Sequence, residues 1–566
     1  MPPEPQVDSS AETLLFQPNR SGAVSVCLAY PNSYRVAMGN LGYQLVWRIL
    51  ATTPGVLCER LFMDGGARRE GTLESGRSPG DFDIVAFSLS FESDYPNVVR
   101  MLMRAGIPPR AAARGGGRPW PLLLAGGPAT FLNPEPMAPF FDIFLIGEAE
   151  EMLPEAFAGA PSWAGLGFDG LLDRLAAVAG AYRPEQYRPW YTAEGELGGL
   201  DRDPGAPSRI ERRWVENLDL GEARSAALAP EAVFGGSFLV EAGRGCEWGC
   251  RFCAAGFIYR PVRHRHSERV AADCLYGLKH RPAVGLIGAE MGSHPGLAQA
   301  CAQVGEAGGR LSPSSMRADM VGPRLAEALA SMATRSVTVA PEAGSRRMRR
   351  VINKNLSEDE ILRAVELLSA GGVESLKLYF MCALPGETDE DLEAIAELVG
   401  RIRERAAARA PAIKVSVNPF VPKPWTPFQW EPMVGVTDGR RRIAFLRRAL
   451  SRLDRVEVDC DSPREAYLQT LFSRGDRRVA DLIEALAGGR DWWARIQATR
   501  KGEHSSLGFD PDRFVHRRWR EREVLPWDII DNHIEKEYLW AERGRAMNAE
   551  ETRPCDVSAC RVCGAC

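Results

Sequence analysis

The stretch Cys246-Glu-Trp-Gly-Cys-Arg-Phe-Cys253 places three cysteines in a C-x3-C-x2-C run. Three thiolates on so short a loop can hold three irons of a [4Fe–4S] cluster and leave the fourth iron without a protein ligand. An iron with an open position can bind a small molecule and pass it an electron. Two other uses of the run stay open. One is a zinc site completed by His264 or His266, and the other is a disulfide, although nothing in the chain indicates an oxidising compartment.

Composition and charge indicate a soluble protein of several domains. The 566 residues suggest two to four domains, and 45% hydrophobic with 25% charged residues is typical of globular proteins. The formal net charge of −4 gives no overall attraction to nucleic acid or membrane. The N-terminus lacks the features of a signal peptide, and no apolar run reaches transmembrane length. We therefore expect a cytoplasmic protein without a membrane partner.

The N-terminal third alternates between strand-like and helix-like stretches. Buried-strand candidates lie at Gly22–Tyr30, Asp83–Ser90, Pro121–Ala125 and Phe141–Ile146. This alternation predicts an α/β domain over residues 1–190, with a doubly wound parallel sheet and any ligand at the carboxyl ends of its strands. Residues 191–232 are rich in glycine, proline and charge, and they are predicted to be a linker with one strand at most.

Residues 233–450 repeat a strand–helix rhythm six times, and residues 451–566 form a mixed C-terminal region. The six strand candidates are Ser237–Glu241, Val284–Gly288, Gly309–Ser314, Ser336–Ala340, Ser375–Met381 and Lys414–Val417. Polar motifs follow these strands directly, and the active sites of parallel βα domains lie at these carboxyl ends. They are Gly288-Ala-Glu290, Ser314 to Asp319, Ala340-Pro-Glu-Ala-Gly-Ser345 and Ala383-Leu-Pro-Gly-Glu387. An arginine such as Arg317 can hold a carboxylate bidentately there, although an ordinary surface ion pair with Asp319 is the alternative.

Two further features stand outside these strand ends. The loop Asn418–Trp430 combines prolines with aromatic residues, which can either stack on a planar base or close the domain by packing. The chain ends in Cys555, Cys560, Cys563 and Cys566, spaced C-x4-C-x2-C-x2-C. Four such thiolates can hold either a second [4Fe–4S] cluster or a structural zinc. With four protein ligands the site would serve electron relay or structure.

These motifs, in this order, resemble the radical SAM superfamily. Together with the opening Tyr30-Pro-Asn-Ser-Tyr34, they resemble its subfamily with an N-terminal cobalamin-binding-like domain, the uncharacterised "radical SAM-linked" group. The resemblance implies a partial (β/α)6 barrel, a [4Fe–4S] cluster on Cys246, Cys250 and Cys253, and S-adenosylmethionine at the open iron. It also implies that the cofactors contact Phe252, Gly288, Glu290, Ser314, Arg317, Glu342 and Ser345. The resemblance implies that Glu290 accepts a hydrogen bond from the ammonium group of S-adenosylmethionine, that Arg317 binds its carboxylate and that Glu342 accepts from its ribose hydroxyls.

The chain departs from the family pattern in two places. Ala383 stands where the family form G-L-P-G-E has its first glycine. The cobalamin-ligating motif D-x-H-x-x-G is absent, and all seven histidines lie at or beyond His264. The N-terminal domain therefore offers no imidazole to cobalt, so cobalamin either binds without a histidine ligand or does not bind. We favour the second interpretation.

The sequence thus predicts an enzyme that cleaves S-adenosylmethionine to a 5′-deoxyadenosyl radical and modifies an unknown substrate. RNA or a ribosome-associated component is one candidate substrate, from the basic tracts Arg440–Arg455 and Arg513–Arg522, for which a solvated helix face is the alternative. The rival functions are a cobalamin-dependent radical SAM methyltransferase and, from another class, a non-catalytic zinc-binding scaffold. Expected partners are a reductant such as flavodoxin or ferredoxin and a separately encoded radical SAM-linked protein.

Overall fold

The fold is that of a computed structural model, which describes residues 11–64, 71–115, 120–314, 316–332, 336–406, 411–489, 491–501 and 507–566. It contains one six-stranded sheet near the N-terminus, two parallel sheets in the middle of the chain, and a helical C-terminal region. Within these described ranges, no helix combines the length and the apolar character that crossing a bilayer requires.

The N-terminal sheet is doubly wound, as the sequence predicts. Its strands are β1 (Val24–Tyr30), β2 (Val56–Phe62), β3 (Ile84–Ser88), β4 (Leu122–Gly126), β5 (Ile143–Leu145) and β6 (Ala181–Tyr182). The order in space is β2-β1-β3-β4-β5-β6, and every pair is parallel except β5 with β6. The helices of eight or more residues here are α1 (Leu41–Thr52), α2 (Tyr95–Arg104), α3 (Ala149–Ala156) and α4 (Phe168–Ala176). The strand order reverses beside β1, where sheets of this kind form a crevice for ligands.

The segment predicted as a linker carries paired strands. Leu197–Arg202 pairs antiparallel with Tyr187–Tyr191, which ends where the predicted linker begins; Ile210–Glu211 pairs with Ile530–Asp531, and Ala227–Leu228 pairs with Thr13–Leu14. The sequence predicts at most one strand here, because glycines, prolines and charges interrupt any apolar run. The short strands form because they pair with distant parts of the chain. The segment therefore fastens the N-terminal sheet to the rest of the protein.

The middle of the chain forms seven parallel strands in two sheets. They are β7 (Phe238–Glu241), β8 (Ala283–Ile287) and β9 (Arg310–Pro313) in one sheet, and β10 (Ser336–Glu342), β11 (Ser375–Cys382), β12 (Ala412–Pro419) and β13 (Val456–Cys460) in the other. A parallel bridge between Met316 and Val339 joins the two sheets. Six strands coincide with the predicted ones. The seventh, β13, lies beyond residue 450 and was not predicted, because its alternating charges give it no continuous apolar run.

Helices alternate with these strands and continue into the C-terminal region. They are α5 (Ser267–Leu278), α6 (Leu297–Glu306), α7 (Pro323–Ser331), α8 (Glu358–Ala370), α9 (Asp389–Arg405), α10 (Val436–Leu450), α11 (Pro463–Arg474), α12 (Ala480–Ala487), α13 (Trp492–Arg500) and α14 (Lys536–Met547). The C-terminal helices share one apolar core with the N-terminal sheet, in which Phe141, Phe472 and Trp527 are all buried. Buried polar contacts reinforce this packing: Arg477 Nε donates to Glu135 Oε2 at 2.8 Å.

Candidate active site

The three core cysteines lie on the loop that follows β7. This loop, residues 245–253, is called the core loop below. Gly245 has φ +80°, and a Cβ atom there would meet Tyr259 O at 2.6 Å, so glycine is required where the loop begins. Arg251 is fully buried, and its guanidinium donates to Arg350 O, Val351 O and Glu542 Oε2 at 3.0–3.1 Å. The loop is therefore fixed by backbone carbonyls that follow β10.

The core-loop thiols are free and close enough to influence one another. Cys250 is buried, while Cys246 and Cys253 are half-buried. Burial and then the neighbouring thiols raise the pKa of Cys246 to about 12 and that of Cys253 to about 11. Because metals bind thiolates, loading this site must release those protons. Three free thiols on one loop suit the donor set of an iron–sulfur cluster with an open position.

The alternative zinc site does not form around the histidines that the sequence offers. His266 is exposed and pairs with Asp219, and the His264 ring packs against His294 with centroids 5.2 Å apart. Among the described residues, no three cysteine, histidine or carboxylate side chains converge as ligands of a single metal ion. Ligands of a cubane need not converge in that way, because each binds a different iron.

The carboxyl ends of β8 and β9 are tied together beside this loop. The Glu290 carboxylate accepts from the backbone N–H groups of Gly292 at 2.6 Å and Ser293 at 2.9 Å. Ser314 Oγ donates to Gly288 O at 2.9 Å. The structure therefore brings three of the predicted cofactor contacts to the ends of two neighbouring strands, and the backbone fixes the orientation of Glu290.

Arg317 is the predicted residue that makes the most direct contact with the core loop. Its guanidinium stacks on the Trp248 ring, with Cζ 3.7 Å from the centroid, and it is buried. Nε and Nη2 donate to Asp319 at 3.0 Å, so the predicted ion pair exists but is largely buried. Across the described part of the chain, Arg317 Nη1 and Trp248 Nε1 are buried N–H groups without a hydrogen-bond partner. Two unsatisfied donors beside three thiols form a cradle for an anionic or polar ligand.

Glu342 ends β10 in a strained conformation beside a lysine whose role the sequence did not predict. Glu342 has φ +66°, and its Oε1 lies 3.5 Å from Lys354 Nζ. Burial raises the pKa of Glu342, against the effect of Lys354. Burial lowers the pKa of Lys354, but Glu342 and the Cys250 thiol outweigh it and raise the pKa above its ordinary value. The sequence signal for this lysine is the string Arg350-Val-Ile-Asn-Lys354, which follows β10. Folding brings Lys354 close to Glu342 and to the core thiols.

Ser345 and Phe252 have clear structural contacts. Ser345 Oγ accepts from Met348 N at 3.1 Å and donates to Asp391 Oδ1 at 2.5 Å, so it caps the short helix Arg346–Val351. Phe252 packs against an apolar cluster that includes Met348 and Phe428. Their predicted contacts with cofactor stay predictions. The neighbouring Gly344 has a packing reason, because a Cβ atom there would lie 2.2 Å from Ile395 N in α9.

The proline-rich loop is a packed closure of the domain. Trp425, Phe428 and Trp430 are at most 3% exposed. Trp425 Nε1 donates to Leu132 O at 3.2 Å, which ties the loop to the N-terminal domain. These aromatic rings therefore offer no surface on which a base could stack, and the packing interpretation describes the loop.

The basic tracts are extensively paired with acids. In α10, Arg441 bridges Asp389 and Asp438, and Arg442 bridges Asp438 and Glu387, with the closest contacts at 2.8–2.9 Å. In the second tract, Arg513, Arg517 and Arg520 all lie within 4 Å of Glu196. This pairing favours the interpretation of these tracts as solvated, ion-paired surfaces.

A cavity of about 350 Å³ opens at the carboxyl ends of the N-terminal strands, between that sheet and the core. Its polar lining includes Asn40, Ser88, Ser90, Glu148, Glu150 and Arg244. A neighbouring cavity of about 410 Å³ shares Asn40 and Arg244 with it and reaches Ile287, the last residue of β8. No histidine is among the described residues that line either cavity.

Glu148 joins the two sides of this cavity. Its carboxylate accepts from Arg263 at 2.8 and 2.9 Å, from Arg244 at 2.9 Å and from Val215 N at 2.9 Å. Burial alone would raise its pKa, but the two guanidiniums dominate and lower it to about 2. Because Arg244 lies two residues before Cys246, this buried network fixes the N-terminal domain to the start of the core loop.

Two family matches identify the chain. Residues 42–184 match "Radical SAM proteins, N-terminal", and residues 240–399 match "Radical SAM superfamily". The second match contains the core loop, Arg317 and Glu342. This chain belongs to the radical SAM superfamily. It is a radical SAM enzyme, so the alternative of a non-catalytic zinc scaffold is wrong, and the family implies a [4Fe–4S] cluster and S-adenosylmethionine.

The chain is also similar to individual proteins of known sequence or structure. The radical SAM chain is 28% identical to an uncharacterized protein of Methanocaldococcus jannaschii over 468 residues, which is 81% of this chain and 90% of that protein. The radical S-adenosylmethionine methyltransferase TsrM from Kitasatospora setae shares the fold, with a TM-score of 0.50 and 13% identity over 84% of this chain and 99% of TsrM. The cobalamin-dependent S-adenosylmethionine radical enzyme OxsB matches with a TM-score of 0.42 and 15% identity. The match covers 67% of this chain and 52% of OxsB, so the chain spans about half the length of OxsB.

Proposed function

We propose that this radical SAM enzyme holds a [4Fe–4S] cluster on Cys246, Cys250 and Cys253 and cleaves S-adenosylmethionine reductively. When bound, the cluster supplies the electron that breaks a carbon–sulfur bond, giving methionine and a 5′-deoxyadenosyl radical. The observation that carries the proposal is the buried Nη1 of Arg317, which has no hydrogen-bond partner among the described residues and which the stack on Trp248 holds against the core loop. A guanidinium with a free donor beside the thiols is suited to hold the carboxylate of S-adenosylmethionine.

Two carboxylates complete the proposed binding site. Glu290 accepts two backbone N–H groups, which fix its direction and leave lone pairs for the ammonium group of S-adenosylmethionine. Glu342, held by Lys354, supports the ribose hydroxyls. Gly288 and Ser314 shape the ends of the two strands between which the ligand lies. Phe252 and Ser345 support this site from behind through their packing and capping contacts.

The substrate binds, in this proposal, in the cavity between the N-terminal sheet and the core. That cavity starts at the carboxyl ends of β1, β3 and β4 and shares Asn40 and Arg244 with the neighbouring one that reaches Ile287, next to Gly288. A radical formed at the core loop would therefore meet a molecule held by the N-terminal domain. Two features that suggested RNA as the substrate no longer favour it. The aromatic loop is buried, and arginines of the basic tracts form ion pairs with acidic residues.

The decisive experiment measures 5′-deoxyadenosine. The protein is purified and reconstituted anaerobically with iron and sulfide, then incubated with S-adenosylmethionine and dithionite. We expect the wild type to release 5′-deoxyadenosine and the variant with all three core cysteines changed to alanine to release none. Cys460→Ala, a half-buried cysteine outside both clusters, serves as the control and should keep the activity. Release by the triple variant would contradict the proposal.

Cobalamin-dependent methyl transfer is the second candidate. The observation that favours it is the cavity at the crevice of the doubly wound sheet, where such folds bind ligands. A cobalamin there would have no histidine from the described lining residues as a ligand. Incubation of the reconstituted protein with hydroxocobalamin, followed by gel filtration and an absorption spectrum, tests it. A stoichiometric corrin spectrum would favour methylation, and its absence would leave radical chemistry without cobalamin.

A further inference from the structure

The C-terminal cysteine segment, residues 553–566, lies directly against the core loop and is called the tail below. Cys555 N donates to Glu247 O at 2.8 Å. Because Glu247 follows Cys246, standard backbone dimensions place the Cα atoms of Cys555 and Cys246 within roughly 11 Å of each other. We propose that the tail is a second iron–sulfur site and that it passes electrons to the cluster of the core loop. This inference rests on the proposed function of that loop.

Several contacts hold the tail in this position. Arg251 of the core loop donates through Nη2 to Glu550 O at 2.9 Å and to Thr552 Oγ1 at 3.1 Å. Thr552 N donates to Asn353 Oδ1 at 2.8 Å, and Asn353 Nδ2 donates in turn to Gly249 O at 3.1 Å. The segment that leads into the tail is therefore fastened to the core loop on both sides of Gly249, so the two cysteine groups have a defined relative position.

The donor set of the tail is complete. All four cysteines are free: Cys563 is buried, Cys555 and Cys560 are half-buried, and Cys566 is exposed. The tail turns through Gly564 at φ +88°, and Cys563 O accepts from Glu535 N at 2.9 Å. Four thiolates saturate a cubane, so such a cluster would carry electrons and would not bind substrate. A structural zinc would need at least three of these thiols to converge on one ion, and no three side chains of the described residues do so, whereas the ligands of a cubane each bind a different iron.

Arg260 supplies a buried positive charge between the two groups. It donates to Gly256 O at 2.9 Å, just after the core loop, and its Nη1 lies 3.4 Å from the Tyr538 hydroxyl. The same guanidinium interacts with the Cys563 thiol. A fixed positive charge stabilises the more negative, reduced state of a cluster, which favours electron uptake at the tail.

The tail is exposed on its outer side. Val562 is 68% exposed and Cys566 is exposed, whereas Cys250 of the core loop is buried. An electron-donor protein therefore has access to the tail more readily than to the core loop. One electron from a low-potential one-electron donor would reduce the tail cluster and then the core cluster. It would be consumed when S-adenosylmethionine is cleaved to methionine and the 5′-deoxyadenosyl radical.

Metal content tests the site itself. Wild type, Cys560→Ala/Cys566→Ala and the control Cys460→Ala are reconstituted anaerobically, and iron, sulfide and zinc are counted per chain. Cys563 is left intact because it is buried in the apolar core. We expect about eight irons in the wild type and the control, and about four in the double variant, as two [4Fe–4S] clusters require. Four irons with one zinc in the wild type would overturn the proposal.

Electron transfer tests the role. Reduction of the core cluster by reduced flavodoxin is followed by freeze-quench electron paramagnetic resonance, with the core signal identified by its change on adding S-adenosylmethionine. We expect the double variant to be reduced at least tenfold more slowly than the wild type, while excess dithionite still supports cleavage. Equal rates with flavodoxin would overturn the relay. The core triple-alanine variant should keep about four irons at the tail, so the iron count tests the tail even if cleavage by the core loop fails.

Discussion

The guanidinium of Arg317 lies 3.7 Å from the centroid of the Trp248 ring, so a residue beyond the third core strand packs on the loop that carries the three core cysteines. The contacts with Asp319 and Lys354 O engage three of the five guanidinium N–H groups, those of Nε and Nη2, and the stack fixes the plane of the group. Nη1 alone has no partner among the described residues. Folding thus leaves Nη1 of this buried, charged group facing the proposed ligand site without an acceptor, which costs free energy. A bound carboxylate would accept from Nη1 and remove that cost.

Arg317→Lys should weaken binding of S-adenosylmethionine by tenfold or more while the cluster still assembles. Lysine keeps the charge but loses the planar stack and the bidentate geometry, and a hydrogen bond to a charged group contributes about 1.5–3 kcal/mol. Equilibrium binding to the anaerobically reconstituted protein measures the effect. Arg405→Lys, on the exposed side of α9, is the matched control and should bind normally. An unchanged affinity in Arg317→Lys would remove Arg317 from the site.

Glu148→Gln should destabilise the protein by roughly 3 kcal/mol at neutral pH, because the lowered pKa of about 2 reports a carboxylate stabilised by two guanidiniums. A depressed carboxyl pKa stabilises the fold above the unfolded value, near 4.5, and this contribution is lost as the pH falls toward 2. The difference in denaturant midpoint between wild type and variant should therefore narrow below about pH 4.5.

The control for Glu148 is Glu151→Gln, which lies on the same helix, α3, but is exposed. Its effect should stay within about 0.5 kcal/mol, as for most surface substitutions. A Glu148→Gln variant that unfolds at the same denaturant concentration as Glu151→Gln would show that the network does not hold the two domains together.

Local patterns predicted most of the strands, whereas the contacts that build the site were beyond sequence reasoning. Runs such as Asp83–Ser90 are apolar throughout, so the buried strand β3 could be recognised. Strand β2 was missed because Glu59 and Arg60 interrupt its apolar run. Arg60 is buried in ion pairs with Glu12 and Glu74, and the hydroxyls of Thr72 and Ser75 donate to the buried Glu59. That compensation comes from other parts of the chain, and no local pattern signals it.

The same limit applies to the candidate site. The cysteine spacing and the motifs at the strand ends located its residues, since each lies within a few positions of a strand that could be recognised. Glu148 and Arg244 are 96 positions apart, and Cys555 and Glu247 are farther still, so their contacts depend on how the domains pack. Gly344 is a further example, because the close approach of helix α9, which no local pattern signals, requires glycine at that position.

Ala383→Gly should stabilise the protein by about 0.5–1 kcal/mol. Ala383 has φ +63°, in the left-handed region where a side chain costs about 1–2 kcal/mol, partly offset by the entropy that glycine loses on folding. Thermal unfolding should show a higher midpoint. Ala328→Gly, within helix α7, is the control and should lower stability by about 1 kcal/mol. A fall in stability for Ala383→Gly would mean that the contacts of its methyl group outweigh the backbone strain.

Lys354 places a buried ammonium group beside the core thiols, and its removal should lower the reduction potential of the core cluster. Its Nζ lies 3.5 Å from Glu342 Oε1, and the Cys250 and Cys253 thiols act on it electrostatically. A reduced cluster carries one more negative charge, so a nearby cation stabilises it. Lys354→Met should therefore shift the potential down, on the order of 50 mV, as one screened charge at this range predicts.

The shift is measured by redox titration of the core cluster signal in variants that lack Cys560 and Cys566, so that only one cluster reports. Lys354→Arg keeps the positive charge and should leave the potential close to that of the wild type. If Lys354→Met and Lys354→Arg gave the same potential, packing around Glu342, and not the charge of Lys354, would determine the cluster's environment. A potential that rises in Lys354→Met would contradict the placement of the ammonium group beside the cluster.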